Sequence, residues 1–224
     1  MIININQDKN INKTRIFYYK LMIPRVIVQT SREKPEQYII DKFNTALPGW
    51  EYRHFNDAEI VQFFIRNPIP EVPNPVEKFY SFSYGAHRAD FFRYYYLYVM
   101  GGVYVDMDAM VYENISDIIE NIDFFSVNST YFPGVVFQGF IGCVPGNSIT
   151  FEALKDVYFT DNRELVETFH LLCKNLYGFV KSQSGSRIKM FEEVYGNETD
   201  AHVVDTDSGK LILVHYHINK IIPP

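Results

Sequence analysis

The sequence is poor in cysteine, in positive charge and in long apolar runs. Its two cysteines, Cys143 and Cys173, are too few for a disulfide scaffold, and their apolar surroundings indicate buried thiols in a reducing compartment. The net charge of −6 argues against nucleic acid as the main partner, since such proteins present a basic face. The absence of a run of about 18 apolar residues predicts no transmembrane helix.

The N-terminus lacks the basic start and unbroken apolar core of a signal peptide. We therefore expect a cytoplasmic protein, or one in a host-cell compartment if the source is a virus. Residues 1–20 are polar and then aromatic, which indicates an N-terminal extension, and residues 21–224 form a single predicted domain. The composition, 47% hydrophobic and 17% aromatic, is sufficient for one sizeable core.

Strand and helix patterns alternate along the chain. Short apolar or alternating runs predict strands at 23–29, 51–55, 103–106, 123–128, 134–144, 201–205 and 211–216. Helical patterns cover 35–47, 58–66, 83–100, 115–122, 147–158 and 161–177. This alternation predicts an α/β sandwich with a largely parallel sheet, in which ligands bind beyond the carboxyl ends of the strands.

Two carboxylates with one residue between them, Asp106 and Asp108, follow two glycines and a short β-type run. Residues two apart in a strand point the same way, so these carboxylates should converge at the strand end. They would repel each other without a cation between them. Oxygen ligands suit Mg²⁺ or Mn²⁺, whose other ligands are commonly waters or substrate phosphates. The pattern predicts metal-assisted handling of a phosphorylated substrate.

The helix before these carboxylates carries Asp90 and Arg93, which are three apart and therefore share a helix face. A carboxylate and a guanidinium there could hold sugar hydroxyls or phosphate. The alternative is an ion pair on a solvated face, and spacing alone leaves both open.

These residues together carry a family resemblance. The segment from Tyr84 to Val111 contains Ala86-His-Arg-Ala-Asp-Phe-Phe-Arg-Tyr-Tyr-Tyr-Leu-Tyr-Val-Met-Gly-Gly-Val-Tyr-Val-Asp-Met-Asp. It resembles the core of the sugar-binding Asp-x-Asp glycosyltransferases, in particular glycosyltransferase family 32, with its fungal initiating mannosyltransferases, bacterial capsular polysaccharide enzymes and viral proteins. The stretches 23–30 and 50–60 resemble the family's opening region. The resemblance implies a GT-A type, Rossmann-like α/β/α sandwich with a mostly parallel sheet over residues 21–224.

The resemblance also implies roles for single residues. Asp108 would bind the metal directly, and Asp106 would bind the metal and the ribose of the donor. Asp90 and Arg93 would hold the donor sugar or phosphate. The strand 26–30 would line the nucleoside pocket, through Val26, Val28, Gln29 and Thr30.

Two further positions have weaker patterns. His215 and His217 share a face if the last strand continues, and one of them would complete the metal shell; the alternative is a pair of surface histidines. An imidazole ligand shifts the preference toward Mn²⁺. Gln138 precedes Gly139 and could donate a hydrogen bond to the donor sugar or the leaving group; the alternative is a bent core strand.

The expected activity is transfer of a sugar from a nucleotide diphosphate donor, such as UDP-glucose, UDP-galactose or GDP-mannose, to a hydroxyl of a glycan or glycoprotein. The resemblance implies retention of anomeric configuration. Val28 and Ser31 stand where family members usually have His and Trp, which leaves open a module that binds sugar nucleotides or glycans without turnover. A phosphatase with an aspartate nucleophile fits poorly with the Gly101-Gly102 pair and the Asp90–Arg93 helix.

Overall fold

The computed structural model describes residues 22–184, 187–196, 200–216 and 222–223. The predicted extension 1–20 and His217 lie outside these residues. The strands are β1 (Val26–Thr30), β2 (Glu51–Phe55), β3 (Gly102–Val105), β4 (Ala109–Val111), β5 (Phe124–Asn128), β6 (Val136–Cys143), β7 (Ile188–Tyr195), β8 (Asp200–Asp205) and β9 (Lys210–Tyr216). The helices are α1 (Gln37–Ala46), α2 (Asp57–Arg66), α3 (Pro75–Ser81), α4 (Gly85–Met100), α5 (Ser148–Phe159), α6 (Asn162–Glu167) and α7 (Leu171–Ser182).

The strands of the described residues form one mixed sheet in the order β2-β1-β3-β6-β5-β7-β8-β9-β4. The predicted α/β class is confirmed, but the prediction of a largely parallel sheet was wrong. Only β1–β2, β1–β3 and β5–β7 are parallel, and the other five pairings are antiparallel. The reason lies in the connections: β5–β6 and β7–β8–β9 follow one another without a crossover helix, and short connections join antiparallel strands.

The sheet curls so that β4, the strand at its far edge, returns toward β3. Only residues 106–108 separate β3 from β4 along the chain, although β4 pairs with β9 at the far edge of the sheet. Helices pack on both faces: α1 on one, and α2, α4, α5 and α7 on the other. The Asp-x-Asp turn therefore joins two distant strands of a curled, helix-covered sheet.

Helix α4 is buried on nearly all sides, in agreement with its aromatic sequence. It ends at Gly101, whose φ of 68° and a Cβ that would lie 2.7 Å from Pro145 both favour glycine. Residues 75–81 form the separate helix α3, anchored by the buried Phe79, and Tyr84 precedes α4 without a side-chain cap.

Three other elements differ from the prediction. Residues 115–122 form turns rather than a helix, and Asn121 adopts a φ of 63°, which a continuous helix does not allow. The predicted helix 161–177 is interrupted between α6 and α7 by a turn at residues 168–170. Strand β7 had no predicted counterpart, because Lys189, Glu192 and Glu193 obscure its apolar alternation. In the described part of the chain, no helix combines the length and apolar character needed to cross a membrane.

Candidate active site

A cavity of about 820 Å³ opens at the carboxyl ends of β1 and β3, where the sequence predicts ligand binding. Predicted residues that line it are Thr30, Asp90, Arg93, Asp106, Asp108, Gln138 and His215. The remaining wall comes from the second half of the chain, from the small residues Gly85, Ala86 and Ala89 at the start of α4, and from Tyr104 and Met107.

Arg93 is the centre of the cavity's hydrogen-bond network. Its Nη2 lies 3.0 Å from Asp106 Oδ1 and 3.2 Å from Asp90 Oδ1. Its Nη1 donates to the backbone carbonyl of Gln138 at 2.8 Å, and its guanidinium carbon lies 4.4 Å from the ring centroid of Tyr104. Arg93 is only 3% exposed and Asp90 only 5%, so the alternative of an ion pair on a solvated face was wrong.

Gln138 fixes the orientation of the Asp90 carboxylate. Its Nε2 donates to Asp90 Oδ1 at 2.8 Å, and its Oε1 accepts a hydrogen bond from the Tyr94 hydroxyl. Burial raises the pKa of Asp90 to about 6; Arg93 opposes this shift and Asp106 adds to it. For Arg93, burial lowers the pKa, but Asp106, Tyr104 and Asp90 outweigh it and the net shift is upward. The guanidinium is therefore a permanent cation facing the cavity.

Asp106 and Asp108 lie in a turn, not at alternate positions of a strand. The Ala109 amide donates to the Asp106 carbonyl at 3.1 Å, which closes the turn. The amide of Asp106 donates to the Gly139 carbonyl at 2.8 Å, and Gln29 Nε2 donates to the Asp106 carbonyl at 2.9 Å. The expected strand geometry was wrong, but both side chains line the same cavity.

His215 lies beside Asp108 because β4 pairs with β9, with Ala109 opposite His215. Its Nε2 lies 3.5 Å from Asp108 Oδ1, and its ring stacks on Phe137 with centroids 4.5 Å apart. The Tyr216 amide donates to the Asp108 carbonyl at 2.8 Å, which holds the turn against β9. His215 thus lines the cavity rather than the outer surface.

The donor set matches a divalent ion in chemistry, with two carboxylates and one imidazole on one cavity. Within the described residues, however, no group of three His, Cys, Asp or Glu side chains is arranged to hold an ion. Arg93 occupies Oδ1 of Asp106, whereas Oδ1 of Asp108 lies 3.5 Å from Nε2 of His215. An ion here would take its remaining ligands from water or substrate oxygens.

The structure corrects the expected nucleoside wall. Val28 is fully buried and Val26 packs against the core, so neither lines the cavity. Gln29 is also buried. Its Nε2 donates a hydrogen bond to the Asp106 carbonyl, and its Oε1 accepts one from the Tyr52 hydroxyl at 2.7 Å. Only Thr30, whose hydroxyl lies 2.9 Å from that of Tyr104, reaches the cavity. The physical reason is that both faces of β1 are covered by helices, which leaves only its end at the site.

Several cavity residues had no sequence motif to identify them. Glu193 lies on the unpredicted strand β7, and burial raises its pKa, opposed by the hydrogen bond from Ser129. Phe132 and Phe169 come from connections between elements. Cys173 also lines the cavity; it is a free cysteine, and burial raises the pKa of its thiol to about 12. The one signal for Glu193 in the sequence was its position in a charged stretch with apolar alternation, which is typical of a strand.

Comparison with known proteins connects this geometry to one family. Residues 33–125, which include Asp90, Arg93, Asp106 and Asp108, match the model of the glycosyltransferase sugar-binding region containing the DXD motif. The chain is 27% identical over 157 residues to mannosyl phosphorylinositol ceramide synthase CSH1 of Saccharomyces cerevisiae, covering 68% of this chain and 40% of that protein. It is 33% identical over 90 residues to inositol phosphoceramide mannosyltransferase 3 of Schizosaccharomyces pombe, covering 38% and 24%.

Among solved structures, the PaToxG glycosyltransferase superposes with a TM-score of 0.49 at 13% identity, covering 75% of this chain and 74% of that one. The chain spans two fifths or less of the length of the two fungal relatives. The resemblance predicted from the sequence is confirmed: residues 33–125 of this chain match the sugar-binding region of the DXD glycosyltransferases.

Proposed function

We propose that this chain is a metal-dependent glycosyltransferase that moves a sugar from a nucleotide-diphosphate-sugar to a hydroxyl of a glycan or glycoprotein. One observation carries the proposal: the Arg93 network with Asp90, Asp106 and Gln138 shares one cavity with the Asp108–His215 pair. The proposed fold type is GT-A, supported by helices on both faces of the sheet and by acidic residues directly after a central strand.

The main chemical obstacle is the negative charge that develops on the departing nucleoside diphosphate. Mn²⁺ or Mg²⁺, held by Asp108, His215 and Asp106, would supply the larger part of the charge neutralisation. Arg93 adds a buried cation that Asp90, Asp106 and the Gln138 carbonyl already orient, so little reorganisation is needed during the reaction.

Asp90 would accept hydrogen bonds from donor-sugar hydroxyls, since Gln138 and Arg93 occupy only one of its oxygens. Retention through departure and attack on the same sugar face is part of the proposal, as the family resemblance implies. The two fungal relatives are named as a mannosyl phosphorylinositol ceramide synthase and an inositol phosphoceramide mannosyltransferase. GDP-mannose is therefore the first donor to test, followed by UDP-glucose and UDP-galactose.

The test is a thermal-shift panel of these donors with and without Mn²⁺. The right donor with Mn²⁺ should raise the Tm by mass action. Asp108→Asn should reduce metal-dependent donor hydrolysis by at least about 100-fold. The matched control is Asp41→Asn, an exposed carboxylate on α1 away from the cavity. Full activity of Asp108→Asn would overturn the metal role, and donor binding without turnover for any acceptor would favour a silent binding module.

A further inference from the structure

The cavity has a second wall that the Asp-x-Asp motif does not include. Ser129 follows β5, and Glu193 lies on β7. In the sheet these strands lie beyond β6, on the side away from β1 and Thr30. We place the donor along the cavity from Thr30 past Asp106 toward Gln138. The second wall then lies at the sugar end of the donor, where the acceptor enters.

Glu193 has the features of a ligand-binding carboxylate. It is only 2% exposed and lines the cavity. The Ser129 hydroxyl donates to its Oε2 at 2.7 Å, and the Thr130 backbone adds a further interaction. A carboxylate can accept about four hydrogen bonds, and burial without them is costly. Glu193 therefore retains accepting capacity on the cavity side that a hydroxyl-bearing ligand would use.

Two aromatic rings lie at the mouth beside this wall. Phe132 is 49% exposed and Phe169 is 55% exposed, although both line the cavity. They are linked through His170, whose ring centroid lies 4.7 Å from that of Phe132 and 5.4 Å from that of Phe169. Exposed large rings at the mouth of a cavity are typical of a ligand-binding surface. Such rings can pack against the C–H face of a sugar or cyclitol while a carboxylate binds its hydroxyls.

We propose that Glu193, Phe132 and Phe169 form the acceptor subsite, and that it takes a polyhydroxylated ring in which a hydroxyl next to the attacking one donates a hydrogen bond to Glu193. This inference rests on the proposed function. In the transfer, the acceptor oxygen bonds to the anomeric carbon as the bond from that carbon to the diphosphate oxygen breaks. The bonding pair leaves with the diphosphate, which also takes the hydroxyl proton. Glu193 thus orients the nucleophile without changing its own charge.

The test measures acceptor binding without any donor. Saturation-transfer NMR with methyl α-mannopyranoside and with myo-inositol should detect binding of at least one probe to the full chain. Glu193→Gln should weaken that binding about tenfold, and Phe132→Ala should weaken it severalfold. The matched control is Glu192→Gln: its carboxylate accepts from Asn128 at 2.6 Å on the other face of β7 and should leave binding unchanged.

The outcomes separate this inference from the proposed function. If neither probe binds the wild type, or if Glu193→Gln and Phe132→Ala bind like the Glu192→Gln control, the acceptor subsite is overturned. Donor-induced stabilisation with Mn²⁺ reports on the proposed function alone, and it should be the same in Glu193→Gln as in the wild type. Because Phe132 is 49% exposed, Phe132→Ala should fold normally and tests the subsite even if Glu193→Gln is unstable.

Discussion

Arg93 shows which properties of a single site residue the sequence predicts and which depend on the fold. Its spacing from Asp90 predicts that both side chains share a helix face, and in the structure they lie 3.2 Å apart, buried rather than solvated. The third partner, the carbonyl of Gln138, comes from a strand 45 residues away in the chain and has no local signal. Side-chain identity therefore indicates the charges of this site, whereas their burial and their shared partners depend on the tertiary fold.

Arg93→Lys should be destabilising although it preserves the charge. A lysine ammonium cannot reproduce the planar fork that reaches two carboxylates and a carbonyl. Loss of charge-assisted bonds in a buried network should lower the free energy of unfolding by about 2–4 kcal/mol, measured by urea denaturation. Arg163→Lys is the control, because that arginine pairs with Asp161 on the exposed surface. Equal effects of the two substitutions would contradict the central role of Arg93.

His87 should make the fold sensitive to acid. Its ring is buried among Phe82, Tyr84 and Phe169, and its Nε2 has no hydrogen-bond partner among the described residues. Burial lowers its pKa in the folded state, so below pH 6.5 the unfolded chain binds more protons and stability falls as the pH falls.

The measurement compares the wild type with His87→Phe at pH 7 and pH 5. Between these pH values the wild type should lose unfolding free energy relative to the variant, because only the wild type carries the imidazole whose pKa is lowered by burial. Parallel pH profiles for the two proteins would show that His87 titrates freely in the folded state.

At the scale of elements, local patterns predict structure well where the interaction is itself local. Asn56 and Glu59 form both halves of a capping box at the start of α2, within two residues of the predicted start of the helix at residue 58. Strand β2 has its predicted bounds of 51–55. The direction of β6 and the existence of β7 depend on partners distant in sequence, and the alternation of strands and helices could not indicate them.

Strand β6 positions Asp106 through a glycine. A Cβ on Gly139 would lie 2.3 Å from Asp106 Oδ2 and 2.4 Å from the Phe137 ring. Gly139→Ala should therefore displace the Asp106 carboxylate and abolish the donor- and Mn²⁺-induced rise in Tm. Gly178→Ala on α7 is the control, since a Cβ there meets no atom within 4 Å. It should raise the unfolding free energy by about 0.5–1 kcal/mol. If donor and Mn²⁺ raise the Tm of Gly139→Ala as much as that of the wild type, Gly139 does not position the Asp106 carboxylate.

At the scale of the molecule, the motif-bearing half cannot form the site by itself. The family match ends at residue 125, whereas Gln138, Glu193 and His215 come from beyond it. Without β6, strand β3 loses one neighbour, and the Asp106 amide loses its acceptor on Gly139.

A fragment of residues 22–125 should therefore lack a cooperative thermal transition by circular dichroism, and it should show no stabilisation by GDP-mannose with Mn²⁺. The full chain measured in parallel is the control. A sharp unfolding transition in the fragment, together with a donor-dependent shift, would mean that the second half contributes only the acceptor side.

The turn that carries Asp106 and Asp108 also constrains the number of residues between β3 and β4. It spans the gap between the third strand of the sheet and the edge strand β4, whose three residues are buried and in register with β9. One added residue would slip β4 along β9 or force a bulge, and a slip by one turns every side chain to the opposite face. Over the course of evolution, insertions and deletions should therefore collect elsewhere in this chain, while the residue count between these two aspartates stays constant even where the intervening side chain changes.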